Sequence, residues 1–398
     1  MPRSEAADGP PTGEALVARA AALVPFLAER ADATERSRTM LPEVLDRLTE
    51  AGLFRIMVPP ALGGFGLELA SHIAVAAELA RGCGSAAWVQ SLVGNQNAHV
   101  AWYPRSAQDE VRAAGAPLFT VLVMGPPETA RRVRGGVRLS GRWPYVSGVD
   151  QASWMMLSAR DPDVPGRVLT CLMPPEAGDV TDDWYALGLR GTGSKSVLLD
   201  DVFVPDHRVL CFREAEESGA PGAAVHPDAL YIGAPNGIIF AMVVAAPAIG
   251  LARCAIDAYA ERLRSRWNAR MPSAQTEWPA SQARLGRAEA RWAAARRALL
   301  HNAGSLTEQV RGGGKTTLEQ RTLYRMETVE VVTTCSEIVS DLFGDAGTGA
   351  TLDGSVLQRV FRDIHTLRSH FMLMPDAAAE NAGRVQLGLA TKPPFANG

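Results

Sequence analysis

Features typical of secreted, membrane-bound and metal-binding proteins are missing from this sequence. Its five cysteines stand singly, with no C-x-x-C pair and no histidine at metal-ligand spacing, which indicates neither a disulfide framework nor a metal site. No 18 apolar residues follow one another, and the polar N-terminus, MPRSEAADGPPTGEA, lacks the apolar core of a signal peptide. We therefore expect reduced, mostly buried thiols, no bound metal, no membrane association and a cytoplasmic location.

A surplus of charge of one sign is also missing. Forty basic residues oppose 43 acidic ones, and the formal net charge is −3. This balance creates no field that favours nucleic acid or an anionic membrane surface. The chain has 398 residues, 47% of them hydrophobic, and can bury a sizeable core. We expect a globular protein that binds a neutral or aromatic small molecule and no nucleic acid.

The common nucleotide-binding motifs are missing as well. No G-x-G-x-x-G follows a predicted strand, and no G-x-x-x-x-G-K-[ST] occurs. The sequence therefore shows no site that would bind NAD(P)H tightly or hold a nucleoside triphosphate. Any redox chemistry would need its electrons delivered by another molecule.

The period of the hydrophobic residues changes twice along the chain. Leu41, Val44 and Leu48 recur at helical spacing near the N-terminus. Strand-like alternation follows, with a hairpin turn predicted at Gly135 and Gly136, and helical spacing returns beyond residue 238. The predicted divisions are a disordered N-terminus (1–14), an N-terminal helical domain (15–115), a central β-domain (116–212), a connecting loop (213–231) and a C-terminal helical bundle (232–398).

Four motifs follow one another in this helical, β, helical frame: VPPALGGFG, GRWPYVSGVDQASW, GLRGTGSKSV and LQRVFRDIHTLRSH. Each is weak alone, but their order and spacing resemble the acyl-CoA dehydrogenase superfamily over residues 15–385. The closer resemblance is to its flavin-dependent monooxygenases. It implies an α+β fold with an N-terminal helical domain, a central antiparallel β-barrel domain and a C-terminal four-helix bundle. It also implies a homotetramer.

The resemblance implies a cofactor and a reaction. A separate flavin reductase would supply reduced FMN or FAD, which reacts with O2 to a C4a-hydroperoxide and hydroxylates a small aromatic substrate. The segments DDWYALGLRGTGSKSVLLDDVFVPD and RDIHTLRSH resemble hydroxylases of aromatic polyketides, so we expect aromatic hydroxylation in natural-product or antibiotic biosynthesis. Oxidation of an amine nitrogen to a hydroxylamine, nitroso or oxime group is the second candidate.

Three segments carry the cofactor-binding residues that the resemblance implies. Ser147 would reach the flavin N5/C4a edge, flanked by Trp143 or Tyr145; alternatively, its hydroxyl caps a tight turn. The glycine-rich turn would approach the flavin, or it is simply a turn before a strand. Either Arg264 or Arg266 would offset negative charge on the reduced ring, or both lie on a solvated helix face. The residues of the turn are Gly191, Thr192, Gly193 and Ser194.

Two histidines near the C-terminus are catalytic candidates. His370 matches the active-site histidine of the resembled family, which implies a general base or a residue that orients the substrate by a hydrogen bond. An ordinary histidine pKa near ~6.5 would suit proton transfer at neutral pH. His365 is the secondary candidate. An isolated histidine is more often structural, and we interpret the adjacent Arg362 and Asp363 as structural too.

The catalytic glutamate of the dehydrogenases is missing from both positions where that family places it. Phe240 and Phe371 stand there, and a phenylalanine cannot accept a proton. We expect both rings, with Gln96 and His99 of GNQNAHV, to contact the substrate. Gln96 replaces a histidine of many relatives. An acyl-CoA dehydrogenase or oxidase and an inactive relative that serves as a partner protein are the alternatives.

Overall fold

The computed structural model describes residues 10–115, 117–125, 128–265 and 274–395 of the chain. Helices lie at both ends and strands in the middle. The helices are α1 (Gly13–Ser37), α2 (Pro42–Glu50), α3 (Leu69–Ala80), α4 (Gly84–His99), α5 (Arg105–Ala113), α6 (Phe212–Ser218), α7 (Asn236–Ser265), α8 (Pro279–Arg311), α9 (Leu318–Asp345), α10 (Val356–Arg368) and α11 (Pro375–Gln386). The strands are β1 (Thr120–Val123), β2 (Arg131–Val133), β3 (Gly136–Val146), β4 (Trp154–Arg160), β5 (Val168–Met173), β6 (Asp179–Thr181), β7 (Lys195–Pro205) and β8 (Val209–Leu210).

The first helices begin where their local sequence places a cap or a proline. The Thr12 hydroxyl accepts a hydrogen bond from the Ala15 amide and starts α1. Pro42 stands in the first turn of α2, where its missing N–H costs no helical bond. The disordered N-terminus predicted for residues 1–14 falls mostly outside the described residues, and α1 begins at Gly13. The other predicted domain boundaries stay predictions.

The strands form two separate four-stranded sheets, with the orders β1-β4-β5-β8 and β2-β3-β7-β6. The predicted antiparallel barrel is therefore wrong in two respects. The sheets do not close on each other, and β1 runs parallel to β4. Alternating hydrophobicity locates a strand but carries no information on its partner or direction. The predicted β2–β3 hairpin is confirmed, and Gly135 has the positive φ of 81° that this turn requires.

Helix α7 is the central element of the core. Its most apolar 18-residue window has a mean hydropathy of 2.1, which is apolar enough for a membrane span, but 89% of that window is buried inside the protein. α7 packs against α3, α8, α9 and α10. The count of four helices in the predicted bundle stays a prediction. The five cysteines are free, and only Cys254 is not fully buried.

The contact between α3 and α7 predicts the effect of one substitution. A Cβ added at Gly250 of α7 would lie 1.9 Å from the Ala77 carbonyl oxygen, so Gly250→Ala must separate two backbones. We expect a loss of about 2 kcal/mol or more in the free energy of unfolding, measured by urea unfolding. The control is Gly286→Ala on the exposed face of α8, where a Cβ meets no atom within 4 Å and should add about 0.5–1 kcal/mol. Equal stabilities for the two variants would contradict this packing.

Candidate active site

A cavity of about 630 Å³ lies where helix α4, strand β1, the C-terminal end of β3 and the C-terminal end of α10 meet. This volume is in the range of small-molecule sites. Among the described lining residues there is no Asp, Glu, Lys or Arg. The lining residues are Trp88, Leu92, Leu122, Val123, Met124, Gly125, Pro144, Tyr145, Ser147, Trp184, Leu189, Thr192, Ser194, Phe240, Thr366, Ser369, His370 and Phe371. The cavity suits a largely uncharged, aromatic molecule.

An irregularity in β3 determines which side chains of the Trp-Pro-Tyr-Val-Ser segment face the cavity. The pairing of β3 with β7 shifts between Trp143 and Val146, and Tyr145 adopts a φ of 67°. Tyr145 consequently stands 71% exposed at the cavity mouth, and Ser147 is buried in the wall. The ring-flanking role of Trp143 is corrected. Its ring is fully buried in the core, where Nε1 donates to the Ser158 carbonyl at 2.8 Å.

A chain of hydrogen bonds runs along one wall of the cavity. The indole Nε1 of Trp88 donates to Ser147 Oγ at 3.1 Å, and Ser147 Oγ lies 2.8 Å from Ser194 Oγ. Ser194 Oγ lies 2.7 Å from Thr192 Oγ1, which donates to the Leu189 carbonyl at 2.8 Å. Helix α4, the end of β3 and the turn before β7 are thereby connected. We call these residues, Trp88, Ser147, Ser194, Thr192 and Leu189, the hydroxyl chain.

The two glycines of the predicted flavin-binding turn do not line the cavity. A Cβ at Gly191 would lie 2.5 Å from Thr34 Cγ2 and 3.1 Å from Ser85 Cβ, so this glycine permits close packing. Gly193 has a φ of 54° and allows the chain to turn into β7. We therefore correct their predicted role: they shape the turn, while its hydroxyls face the cavity.

His370 lies just beyond the C-terminal end of α10 and directly before a short 3-10 helix. Its Nδ1 accepts a hydrogen bond from the Met372 amide at 3.3 Å. The imidazole lies 5.6 Å from the Trp88 ring, 6.0 Å from Phe240 and 4.9 Å from Phe371, measured between ring centroids. Burial among these rings lowers the pKa of His370 to about 4.

The environment of His370 corrects the expected pKa near 6.5 and favours one of its two predicted roles. At neutral pH the imidazole is uncharged and carries one proton. Because Nδ1 accepts the Met372 N–H, that proton is on Nε2. In this tautomer the ring offers a donor to the cavity. Orientation of a substrate by a hydrogen bond fits this geometry, and general-base catalysis does not.

His365 lies outside the cavity, on another side of α10. Its Nε2 is 3.1 Å from Ser340 Oγ, and its ring centroid is 4.4 Å from that of Phe361. The two histidines are five residues apart, whereas neighbours on one helix face are three or four apart. His370 also lies beyond the end of α10 at Arg368. We therefore correct the prediction that His365 is a second catalytic histidine, because it does not line the cavity.

Arg362 and Asp363 are structural, as interpreted from the sequence, although they do not simply pair with each other. The Arg362 guanidinium binds the Glu35 carboxylate and donates to the Leu187 carbonyl at 3.0 Å. The buried Asp363 carboxylate accepts the Leu189 amide at 2.6 Å. Burial raises the pKa of Asp363 to about 6. These contacts hold α10 against α1 and against the loop that leads to Thr192.

The four residues predicted to contact the substrate divide into two pairs. Phe240 and Phe371, which the resemblance aligns with the glutamate positions of the dehydrogenases, both line the cavity. Gln96 and His99 are buried on α4 beyond Leu92 and lie behind the wall rather than in it. Gln96 Oε1 and His99 Nδ1 have no hydrogen-bond partner among the described residues. His99 Nε2 is 2.8 Å from Asn236 Oδ1, and burial lowers the pKa of His99 to about 4.

The predicted arginine contact is not supplied by the described part of this chain. Arg264 stands on the exposed end of α7, where a guanidinium nitrogen lies 3.4 Å from the Glu261 carboxylate. It does not line the cavity, because the helix face at this position points to solvent. Arg266 lies outside the described residues.

Sequence reasoning missed several residues of the cavity wall. Trp88 and Leu92 lie one turn apart on α4, Trp184 lies between β6 and β7, and Thr366 lies on α10. Trp88 was detectable in principle, because it is the only large aromatic residue among the small and polar residues of α4. Thr366 precedes His370 by four residues on the resembled motif, and helical spacing alone would place it near that histidine.

Comparison with known proteins agrees with this architecture. Family models described as the N-terminal and C-terminal domains of acyl-CoA dehydrogenase match residues 14–111 and 242–375. The oxygenase subunit HsaA of a flavin-dependent monooxygenase from Rhodococcus jostii is 32% identical over 92% of this chain and 97% of its own length. The oxygenase component of the FADH2-dependent resorcinol hydroxylase from Rhizobium sp. is 30% identical over 95% of both chains. The crystal structure of HsaA from M. tuberculosis superposes with a TM-score of 0.90, with 29% identity over 96% of this chain and 99% of that one.

The chain belongs to the acyl-CoA dehydrogenase superfamily. Within it, the protein is a flavin-dependent monooxygenase related to the oxygenase subunits of two-component systems. Its cofactor is reduced flavin, either FMN or FAD.

The residues of the cavity fit an isoalloxazine ring, which is flat and aromatic with polar groups along its edges. Trp88 and Trp184 supply aromatic surface, and Ser147 and Ser194 supply hydroxyls. Thr366 Oγ1 is buried beside the cavity with no hydrogen-bond partner among the described residues. A buried hydroxyl without a partner is costly, and a polar edge of a bound ring would satisfy it.

The neutral imidazole of His370 predicts a dependence of stability on pH. Histidine has a pKa near ~6.5 in an unfolded chain and about 4 at this position. Between these values the unfolded state binds more protons, so the free energy of unfolding falls as the pH decreases from 6.5 towards 4. Over this interval His370→Gln should lose about 3 kcal/mol less than the parent, measured by urea unfolding.

The matched control is His301→Gln, because His301 is exposed on α8. It should show the same pH dependence as the parent. A parent-like slope for His370→Gln would contradict a partly buried, neutral imidazole at position 370.

Proposed function

We propose that this protein is the oxygenase component of a two-component system and hydroxylates a small phenol-type aromatic with reduced flavin and O2. The observation that carries the proposal is a cavity without charged side chains among its described lining residues, in which the neutral His370 offers an Nε2–H. The resorcinol hydroxylase component that the chain resembles acts on such a phenol.

Bound reduced flavin supplies the two electrons and the ring that activates O2. The residues of this chain have other tasks. Ser147 and Ser194 present hydroxyls to a polar edge of the ring. Trp88, Trp184 and Phe240 keep water out of the cavity, which limits unproductive loss of reducing equivalents to solvent.

His370 acts on the substrate in this proposal. Its Nε2–H donates to the substrate oxygen and fixes the position of the adjacent ring carbon, which that oxygen makes nucleophilic. His370 therefore orients the substrate and holds a proton at Nε2, instead of removing one.

The same geometry supports carbon oxygenation over nitrogen oxygenation. An ammonium substrate needs an acceptor such as a carboxylate, whereas His370 is a donor in the tautomer that the Met372 contact assigns, and no described lining residue is acidic. Hydroxylation of a phenol is therefore the proposal, and N-oxygenation is the second candidate. An acyl-CoA dehydrogenase needs a carboxylate base, and Phe240 and Phe371 occupy the corresponding places.

The proposal also covers the reductase, the oligomeric state and the location of the protein. Because relatives are named as subunits or components, we infer that a separate reductase supplies the flavin. The exposed apolar side chains Leu323, Leu387 and Leu389 support an assembly of several copies, which we propose to be a homotetramer. We also propose a cytoplasmic enzyme of natural-product biosynthesis, on the resemblance of its active-site segments to polyketide hydroxylases.

The test of the function is a single turnover with labelled oxygen. Anaerobic protein and stoichiometric FMNH2 or FADH2 are mixed with ¹⁸O2 and a phenol such as resorcinol. We expect one ¹⁸O atom in a hydroxylated product and a spectral transient before oxidised flavin returns. Direct return to oxidised flavin with every phenol tested, together with bleaching of oxidised flavin by an acyl-CoA, would contradict the proposal and indicate a dehydrogenase.

Replacement of His370 tests its role in the reaction. His370→Ala should lower the yield of hydroxylated phenol per reduced flavin by about 10²-fold, the scale of one lost stabilising donor. Reduced-flavin binding should remain close to that of the parent. His365→Ala removes the histidine that lies outside the cavity and should retain the parent yield. Equal yields from the two variants would exclude His370 from the mechanism.

A further inference from the structure

The hydroxyl chain has a direction that one of its end groups, the Leu189 carbonyl, determines. The Leu189 carbonyl can only accept, so Thr192 Oγ1 donates its single proton there. In the 2.7 Å contact between Thr192 and Ser194, Ser194 is then the donor. By the same reasoning Ser147 donates in its 2.8 Å contact with Ser194. All three hydroxyl protons point along the wall, away from the cavity.

This direction leaves only lone pairs for a ligand. A hydroxyl has one proton and two acceptor sites. Ser147 uses its proton on Ser194 and one acceptor site on the indole N–H of Trp88. Its remaining lone pair is the only hydrogen-bonding capacity that it offers to the cavity. Ser147 is 8% exposed, and Ser194 and Thr192 are 5% and 1% exposed. Bulk water therefore does not readily replace a hydrogen bond that a ligand group fails to make with these hydroxyls.

Reversal of the chain has a definite cost. If Ser147 were to donate into the cavity, Ser194 would have to donate to Ser147 and Thr192 to Ser194. The 2.8 Å bond from Thr192 to the Leu189 carbonyl would then be lost. The Trp88 bond survives in both arrangements, because an indole N–H can only donate. The bond from Thr192 to the Leu189 carbonyl therefore fixes the direction of the chain. Ser194, which donates to Thr192, must then accept from Ser147.

The two redox states of a flavin differ in whether one ring nitrogen is a hydrogen-bond donor or an acceptor. The reduced isoalloxazine carries an N–H where the oxidised ring has a bare nitrogen lone pair. An N–H pairs with the Ser147 lone pair, whereas a nitrogen lone pair opposes it unless the chain reverses. The oxidised ring would thus bind at the expense of one buried hydrogen bond.

We propose that Thr192 and Ser194 are positioning residues that hold the Ser147 hydroxyl as an acceptor, and that the site thereby prefers reduced over oxidised flavin. The inference rests on the proposed function, in which the hydroxyl chain lies along a polar edge of the flavin. The preference lets the protein take reduced flavin from a mixture and release the oxidised product.

The test compares the affinities for reduced and oxidised FMN. Dissociation constants are measured anaerobically by equilibrium dialysis with the parent, Ser194→Ala and Thr192→Val. Either substitution frees the Ser147 proton to turn towards the cavity. The ratio of the oxidised to the reduced dissociation constant should fall by about tenfold in both variants, the worth of one hydrogen bond.

The midpoint potential of bound FMN gives a second readout that does not depend on turnover. A preference for the reduced form raises the potential above that of free FMN. A tenfold loss of preference lowers it by about 30 mV for a two-electron couple. The conservative Thr192→Ser retains the donor and should keep the parent potential. Ser196→Ala removes a hydroxyl that binds Arg142 outside the cavity, and it should also match the parent.

The outcomes separate this inference from the proposed function. A parent protein that binds no reduced flavin would overturn both. If the parent prefers reduced FMN, and Ser194→Ala and Thr192→Val keep both the ratio and the potential, the hydroxyl chain does not set the preference and only the inference fails. Thermal unfolding identifies a misfolded variant, and the other substitution then decides.

Discussion

The buried carboxylate of Asp363 links the two halves of the active site. It accepts the Leu189 amide at 2.6 Å from within α10, and the neighbouring Arg362 binds Glu35 of α1 and the Leu187 carbonyl. His370 follows on the same segment, and Leu189 is the terminal acceptor of the hydroxyl chain. A shift of α10 would therefore displace His370 and the hydroxyl chain together.

The cavity combines low charge with directed hydrogen bonds. Its described lining has no ionised side chain, so each polar group acts in a weakly screened environment. Burial keeps His370 uncharged, and the Met372 amide leaves the proton on Nε2. The proposed selectivity thus depends on which atoms carry protons. A dehydrogenase built on the same scaffold would need an ionised carboxylate where this chain has phenylalanine.

Much of the fold was predictable because it depends on local patterns. Helical spacing predicted the outer helices, and Gly135 marked the β2–β3 hairpin. The barrel was wrong because strand pairing is non-local: β1 lies parallel to β4, across 30 residues of intervening chain, and no periodicity reports this. At the site, Ser147, His370 and the two phenylalanines were identified through the resembled motifs. The role of Trp143 was predicted wrongly because of the bulge in β3. The bulge changes which side chains after Trp143 point to the same face of the sheet, and it has no clear signature in sequence.

The amino-acid sequence by itself determined the scaffold and its chemical class, because the amphipathic periods, the ordered motifs and the missing glutamate are properties of residue type and spacing. Only the tertiary structure decided what each polar group does. The pKa of His370 is lowered by rings from α4 and α7 that are far away in the chain. The direction of the hydroxyl chain depends on the Leu189 carbonyl, which folding places next to Thr192 Oγ1. Protonation and hydrogen-bond direction are set by the groups that folding brings together, and a linear sequence does not contain those neighbours.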